Sequence, residues 1–501
     1  MCVMAEVATP CEESSAGGGD GRSNRFLVVA YGIQGHLNPA RSLARRLAGI
    51  DGVAAVLSVP LFAHRRMFPS DSGEGIVSDG VISYAPFSDG LDDGSWPTGS
   101  EEDKARRRRA SVESLSAVVR RLADAGTPVT CAVCTLNMPA VVEVARAHAL
   151  PLGVYWIQPA TVLVAYYHFF HGHADAILAT AEPAAHEPTL TLPGLSRALR
   201  ARDMPSFFFT GDDSADELSK MILQGFRELF ELMDDKEETP CMMLVNTLEA
   251  LEETALRAIR PYLGDDVFAV GAPVLAGAGE EEPAGTGGET IHLFAQEEGK
   301  RYMTWLDAQP VKSVVYVSSG SLLTYSARQA EELLLGLERL GRPYLWVVRR
   351  DGRSPELERL LHVAAEEGAG MVVEWCEQKA VLAHPSVACF VTHCGWSSTL
   401  ETMALGVPAV AAPSWSDQPM NAHLLAEEWG VGVRAERDAD GVLTGDELAR
   451  CVEQVLSDGK TAANASAWKE KARQAMAADG PSERSLRSFV RRVQELSGMN
   501  L

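Results

Sequence analysis

A chain of 501 residues is too long for one ordinary core and long enough for two or three domains, each with a sizeable interior. Apolar residues make up 46% and charged residues 23%, which excludes disorder for the bulk of the chain. Lys and Arg total 45 against 68 Asp and Glu, and the net charge of −23 argues against a nucleic-acid or anionic-membrane partner, since both need clustered positive charge.

Residues Met1 to Asn24 are rich in Glu, Ser and Gly and lack a basic start followed by an apolar core, so a floppy tail is expected, not a secretory signal. Phe26–Tyr31 reads as a strand, followed by the Gly35-His36 turn and a helix from Pro39 to about Leu47, where proline suits the first turn. The basic run Lys104 and Arg106–Arg109 follows three acidic residues and is read as a solvated helix face. Strands are predicted at Ala55–Val59, Val129–Val133 and Leu152–Ile157, with a helix over Thr161–Phe170. The uncharged stretch Ala149–Phe170 matches a membrane span in length, but Pro151, Gln158 and Pro159 interrupt it, and no span is predicted. Cys131 and Cys134 form a C-x-x-C with no second pair and are read as buried thiols. Nine sparse cysteines fit a reducing compartment, so a cytoplasmic location is expected. His168, His171 and His173 lack a carboxylate or cysteine at ligand spacing, so packing or acceptor contact is expected there and no metal.

Between Gly271 and Thr290 the chain turns acidic and rich in Gly, Ala and Pro, which marks a linker. Strands then alternate with helices again: Ser313–Ser318, the turn Ser319-Gly320-Ser321, a helix over Ala327–Leu340, and strands at Tyr344–Val348, Met371–Val373, Val387–Val391 and Val407–Ala411. The last 40 residues read as two polar amphipathic helices. The fold class is therefore α/β, two doubly wound lobes facing across a cleft, with ligands expected at the carboxyl ends of the strands.

The span Trp375–Gln418 concentrates the chemistry. A strand runs into Thr392-His393-Cys394-Gly395-Trp396-Ser397-Ser398 and a helix start, whose free N–H groups suit a phosphate. Glu401 lies one turn on, where a carboxylate can accept from two ribose hydroxyls, and Trp375 offers an aromatic face for a base. Asp417 and Gln418 offer groups for sugar hydroxyls. Together these read as a nucleotide-sugar site. The G-x-G-x-x-G and G-x-x-x-x-G-K-[ST] patterns are absent, which makes a dehydrogenase improbable.

This span resembles the signature box of plant family 1 UDP-sugar-dependent glycosyltransferases, and Trp305–Leu322 and Gln34–Pro39 are similar to that family as well. The resemblance implies a GT-B fold of two Rossmann-like lobes, UDP-sugar on the C-terminal lobe and the acceptor on the N-terminal lobe. It implies Trp375 on uracil, with Cys376 beside it in the donor site, and Gln378 and Glu401 on the ribose. His393, Gly395, Ser397, Ser398 and Ser321 would face the phosphates, and Trp396, Asp417 and Gln418 the sugar. Gln418, where the family can carry His, favours glucose. His36 would be the base that takes the acceptor's proton in inverting transfer. UDP-glucose is then a co-substrate, with no further cofactor and no metal.

Three positions depart from the pattern. Thr135 stands where an Asp usually supports the base, Ser397 where Asn is usual, and Ser319 where Phe is usual. A threonine cannot stabilise an imidazolium by charge, which suits an acceptor that loses its proton easily. The Thr variant, Trp156–Gly172 and Phe87–Gly94 look most like the subgroup of anthocyanin 5-O-glucosyltransferases and carboxylic-acid hormone glucosyltransferases. Thr135 and Ser397 also raise the rival reading, a non-catalytic sugar-nucleotide binder. The expected boundaries are a tail over 1–24, an acceptor lobe over 25–270, a linker over 271–290 and a donor lobe over 291–480. A terminal helix over 481–501 follows, its return to the first lobe left open, and a monomer is expected.

Overall fold

The computed structural model describes residues 24–271 and 301–498, except 70–74, 96, 98–99, 137, 183–186, 211–216, 235–240, 351–352 and 368–369. The tail over 1–23 and the linker from 272 onward lie outside the described residues. Asn24, read as tail, is instead the first residue of a strand: it is 5% exposed and its N–H donates to the Gly52 carbonyl.

The N-terminal lobe is built on β1 (Asn24–Val29), β2 (Val53–Pro60), β3 (Val77–Ser78), β4 (Ser83–Phe87), β5 (Cys131–Thr135) and β6 (Leu152–Trp156). A small hairpin, β7 (Thr189–Leu190) and β8 (Leu199–Arg200), precedes β9 (Cys241–Val245) and β10 (Val267–Ala269). The eight-stranded sheet runs β10-β9-β6-β5-β1-β2-β4-β3 and is parallel except at β3–β4. The C-terminal lobe carries β11 (Val314–Ser318), β12 (Tyr344–Val347), β13 (Gly370–Val373), β14 (Val387–Thr392), β15 (Ala409–Ala411) and β16 (Gly432–Arg434). They form one sheet in the order β13-β12-β11-β14-β15-β16. Its strands are apolar on both faces because helices cover both: Val315 and Val317 face one core, Val314 and Tyr316 the other.

Strand order reverses once in each sheet, between β1 and β5 and between β11 and β14. At such a point the connecting helices leave to opposite sides and open a crevice at the carboxyl ends of the strands. His36 follows β1 and Thr135 ends β5. Ser319–Ser321 follow β11 and His393–Ser398 follow β14. The sequence reading of β5 as Val129–Val133 was two residues early; the observed register makes Thr135 the strand's last residue.

The first helix also begins earlier than predicted, at Gln34, because the Ile33 carbonyl accepts from the N–H groups of His36 and Leu37. His36 therefore sits in the first helical turn and not in a loop. The helix read at Thr161–Phe170 runs over Ala160–His168 and winds on to a kink at His171 and Gly172, where the backbone leaves the helical region.

The final helix, Pro481–Leu496, lies on the N-terminal lobe. Its Phe489 is fully buried, with ring centroids 5.6 Å from Phe26 and 5.7 Å from Phe268. Arg46 pairs with Glu483 at 2.6 Å and Arg492 with Asp266 at 2.9 Å. Among the described residues no helix is long and apolar enough to cross a membrane.

Candidate active site

The two crevices face each other across a cleft of about 3010 Å³, against the ~300–1,000 Å³ usual for one small ligand. That is room for two substrates.

On the N-terminal side His36 Nδ1 lies 2.9 Å from Thr135 Oγ1, and the Thr135 hydroxyl reaches Met138 Sδ at 3.7 Å. With its proton on sulfur, the hydroxyl accepts Nδ1–H and leaves Nε2 bare. The Tyr31 ring meets the imidazole edge-on at 5.4 Å and fixes its plane. Burial, with no carboxylate to oppose it, pushes the His36 pKa down to about 4, so the ring is neutral at physiological pH.

The cleft wall beside His36 comes from Phe87, Asp89 and Leu91 and not from the helix Ala160–His168. That helix is interior: Tyr166 is fully buried, stacked on Phe226 at 4.2 Å. Met221, Ile222 and Phe226 of the helix Glu217–Asp234 line the cleft in its place. The basic run is only partly a solvated face, since Lys104, Arg107 and Arg108 also border the cleft. Neither contribution was visible in the sequence, because each depends on how a long helix is laid across the sheet. Of the three histidines, His171 contacts the Tyr167 carbonyl (2.6 Å) and Asp234 (3.0 Å), His173 contacts the His171 carbonyl (3.3 Å), and the His168 ring meets that of His173 edge-on at 4.9 Å. The thiols of Cys131 and Cys134 are buried in β5, and burial raises both pKa values.

On the C-terminal side the structure brings together Ser321, Trp375, Gln378, His393, Gly395, Ser397, Ser398 and Glu401 along one wall. Gln378 organises part of it: Nε2 donates to Ser398 Oγ (2.8 Å) and Glu401 Oε2 (2.6 Å), while Oε1 accepts from Tyr316 (3.1 Å). Burial raises the Glu401 carboxyl to about 7, against the lowering effects of Lys379 and Gln378. Gly395 caps the helix Trp396–Leu405, whose N-terminus opens on the cleft. His393 is wedged against it: a Cβ on Gly320 or Gly395 would come within 2.4 Å of Nε2, so both backbones approach only as glycine. Burial lowers the His393 pKa to about 4, leaving a neutral ring.

Asp417 and Gln418 stand at the far end of the wall. Asp417 accepts from Asn421 at 2.7 Å, and burial raises its pKa; Gln418 Oε1 accepts from the N–H groups of Ser414 (3.0 Å) and Trp415 (3.2 Å). Trp396 and Cys376 also line this wall. The Trp396 indole N–H donates to the Asn246 carbonyl at 2.7 Å and the residue is 4% exposed, so the indole also joins the lobes. The Cys376 thiol is buried against Tyr316 Oη at 3.3 Å, which turns it toward the core.

This arrangement has close counterparts. The family model described as UDP-glucoronosyl and UDP-glucosyl transferase matches residues 288–468. A crocetin glucosyltransferase, chloroplastic, from Gardenia jasminoides is 40% identical over 484 residues, covering 94% of this chain and 97% of the relative. The chain belongs to the plant family 1 UDP-glycosyltransferases. An anthocyanidin 3-O-glucoside 5-O-glucosyltransferase from Perilla frutescens is 37% identical over 482 residues, covering 94% of this chain and 98% of the relative. The crystal structure of Os79 from O. sativa in complex with UDP superposes with a TM-score of 0.77 at 27% identity, over 93% of this chain and all of that one. This UDP-glycosyltransferase thus has the GT-B fold, and the non-catalytic reading gives way to that of an enzyme.

Proposed function

We propose that the enzyme transfers glucose from UDP-glucose, with inversion, to a hydroxyl or carboxylate of a small lipophilic acceptor. The observation that carries this is the placement of a neutral His36, its Nε2 free, across one cleft from a nucleotide wall on a helix start. Trp375 stacks on uracil, Gln378 and Glu401 hold the ribose, and Ser321, His393, Ser397, Ser398 and the N–H groups after Gly395 receive the diphosphate. Asp417 and Gln418 hold the glucose. The acceptor oxygen attacks the anomeric carbon from the face opposite the diphosphate. A C–O bond forms, the C1–O bond to phosphate breaks, and UDP leaves with the electron pair onto the helix start. A hydroxyl acceptor gives its proton to His36 Nε2; a carboxylate has none to give.

Relatives named for crocetin, phloretin and anthocyanidin 3-O-glucosides support acceptors of that range. We propose that no metal takes part, since neutral donors and a helix start already face the diphosphate, and EDTA should leave the rate unchanged. Sparse free thiols support a reducing compartment, which we take as the cytoplasm; a fluorescent fusion separates this from a plastid, and size-exclusion chromatography tests the proposed monomer. The deciding experiment incubates the protein with UDP-glucose and a panel of flavonoids, anthocyanins and carboxylic acids. A mass gain of one hexose, with UDP release that needs both substrates, supports the proposal. UDP-glucose binding without transfer to any of them overturns it.

A further inference from the structure

Ser416 adopts a left-handed backbone, φ +62°, which a residue with a Cβ takes only when its surroundings impose it. It immediately precedes Asp417 and Gln418. The groups that impose it come from the other lobe. Ser206 Oγ accepts from the Ser416 N–H at 2.7 Å, and the Ser206 N–H donates to the Ser416 carbonyl at 2.9 Å. Gln158 Nε2 reaches Ser416 Oγ at 3.5 Å, and the Phe207 ring meets Trp415 edge-on at 5.6 Å. Three residues upstream of Ser206, the buried Asp203 pairs with Arg434 of β16 at 2.8 Å, so this segment is anchored to the C-terminal lobe at two points.

We propose that Ser206 is a positioning residue for donor-sugar recognition. By holding Ser416 in its strained conformation it aims Asp417 and Gln418 into the cleft, so the sugar half of the donor site is complete only while the lobes are clasped. The inference rests on the reading of Asp417 and Gln418 as sugar contacts. UDP, which lacks the glucose, lies outside the effect.

The test compares the full-length wild type with Ser206→Ala, Ser416→Gly, the double variant and Asp417→Asn. Calorimetric Kd values for UDP and for UDP-glucose are measured together with steady-state KM and kcat. Ser206→Ala should weaken UDP-glucose binding and kcat/KM roughly five- to tenfold, the range of one lost hydrogen bond, while the Kd of UDP moves less than about twofold. Ser416→Gly should restore most of that loss in the double variant, because glycine takes a positive φ without strain. Equal weakening of UDP and UDP-glucose, no weakening of either, or no recovery with glycine would overturn the clasp. An unchanged Asp417→Asn enzyme would instead overturn the sugar-contact reading itself, which separates the two failures.

Discussion

His36 and Thr135 face each other at 2.9 Å, a neutral ring against a neutral hydroxyl. The pair joins the carboxyl ends of adjacent parallel strands at the point where strand order reverses. Nothing in that contact rewards protonation of the ring. The folded pKa of about 4 lies below the ordinary 6.5, so the base form persists as pH falls until about 4. With UDP-glucose held saturating, so that Glu401 does not enter, the acidic limb of kcat/KM for a hydroxyl acceptor should therefore fall near pH 4, and Thr135→Asp should move it upward by placing an anion on Nδ1–H. The same change should raise turnover of simple alcohols on the order of tenfold, because a stronger base takes a less acidic proton. A wild-type limb at 6.5, or equal wild-type turnover of aliphatic alcohols and carboxylates, would refute this account.

Removing the base separates acceptor classes. His36→Ala should cost on the order of 10²–10⁴ in kcat with phenols, the usual worth of general-base catalysis. With a carboxylic acid at pH 7 the nucleophile is already ionised, and the loss should be no more than about tenfold. Parallel assays with one phenol and one carboxylic acid read the difference directly. A variant that keeps full transfer to the phenol removes His36 from the mechanism.

Much of this was legible in the sequence, for local reasons. Alternating apolar runs and helices announce a parallel α/β fold, and the span Trp375–Gln418 carries most of the nucleotide wall in one stretch of chain. What the sequence did not show depends on long-range placement. Met221, Ile222 and Phe226 line the cleft only because the helix Glu217–Asp234 is laid across it. Trp396 reads as a sugar contact by position, but its indole finds a carbonyl 150 residues away. The clasp of Ser206 on Ser416 joins residues 210 apart and has no local signal. The helical turn at His36 has no such signal either: Pro39 suits a helix start, whereas the Ile33 carbonyl opens the helix earlier.

Glu401 gives a second pH signature, of the same origin and opposite direction. Burial holds its carboxyl near 7, above the ordinary 4.5, so in the empty site it is half protonated at neutral pH. Ribose hydroxyls donate best to the ionised form. UDP affinity should therefore rise as pH increases through about 7 and level off above 8. Glu401→Gln should flatten that dependence and weaken UDP roughly tenfold or more at pH 8, the cost of losing charge-assisted hydrogen bonds. Calorimetric titrations of UDP between pH 5.5 and 8.5 check both; a wild-type Kd independent of pH would contradict the assignment.

Trp396 tests where the sugar site ends. Its N–H donates to the buried Asn246 carbonyl of the other lobe, and neighbouring Trp429 does the same to Leu251 at 3.2 Å, so two indoles stitch one seam. Trp396→Phe keeps an aromatic ring, though a smaller one, and removes the donor, leaving a buried carbonyl unpaired at a cost of about 1–3 kcal/mol. For lobes of this size that lowers Tm by several degrees. Because the indole N–H is committed to the Asn246 carbonyl and not to a sugar hydroxyl, the preference for UDP-glucose over UDP-galactose should stay within about twofold of wild type. Thermal melts and paired donor kinetics on the same preparation decide between the roles. A lost sugar preference at unchanged Tm would return Trp396 to the sugar, and a lowered Tm with intact preference keeps it in the seam.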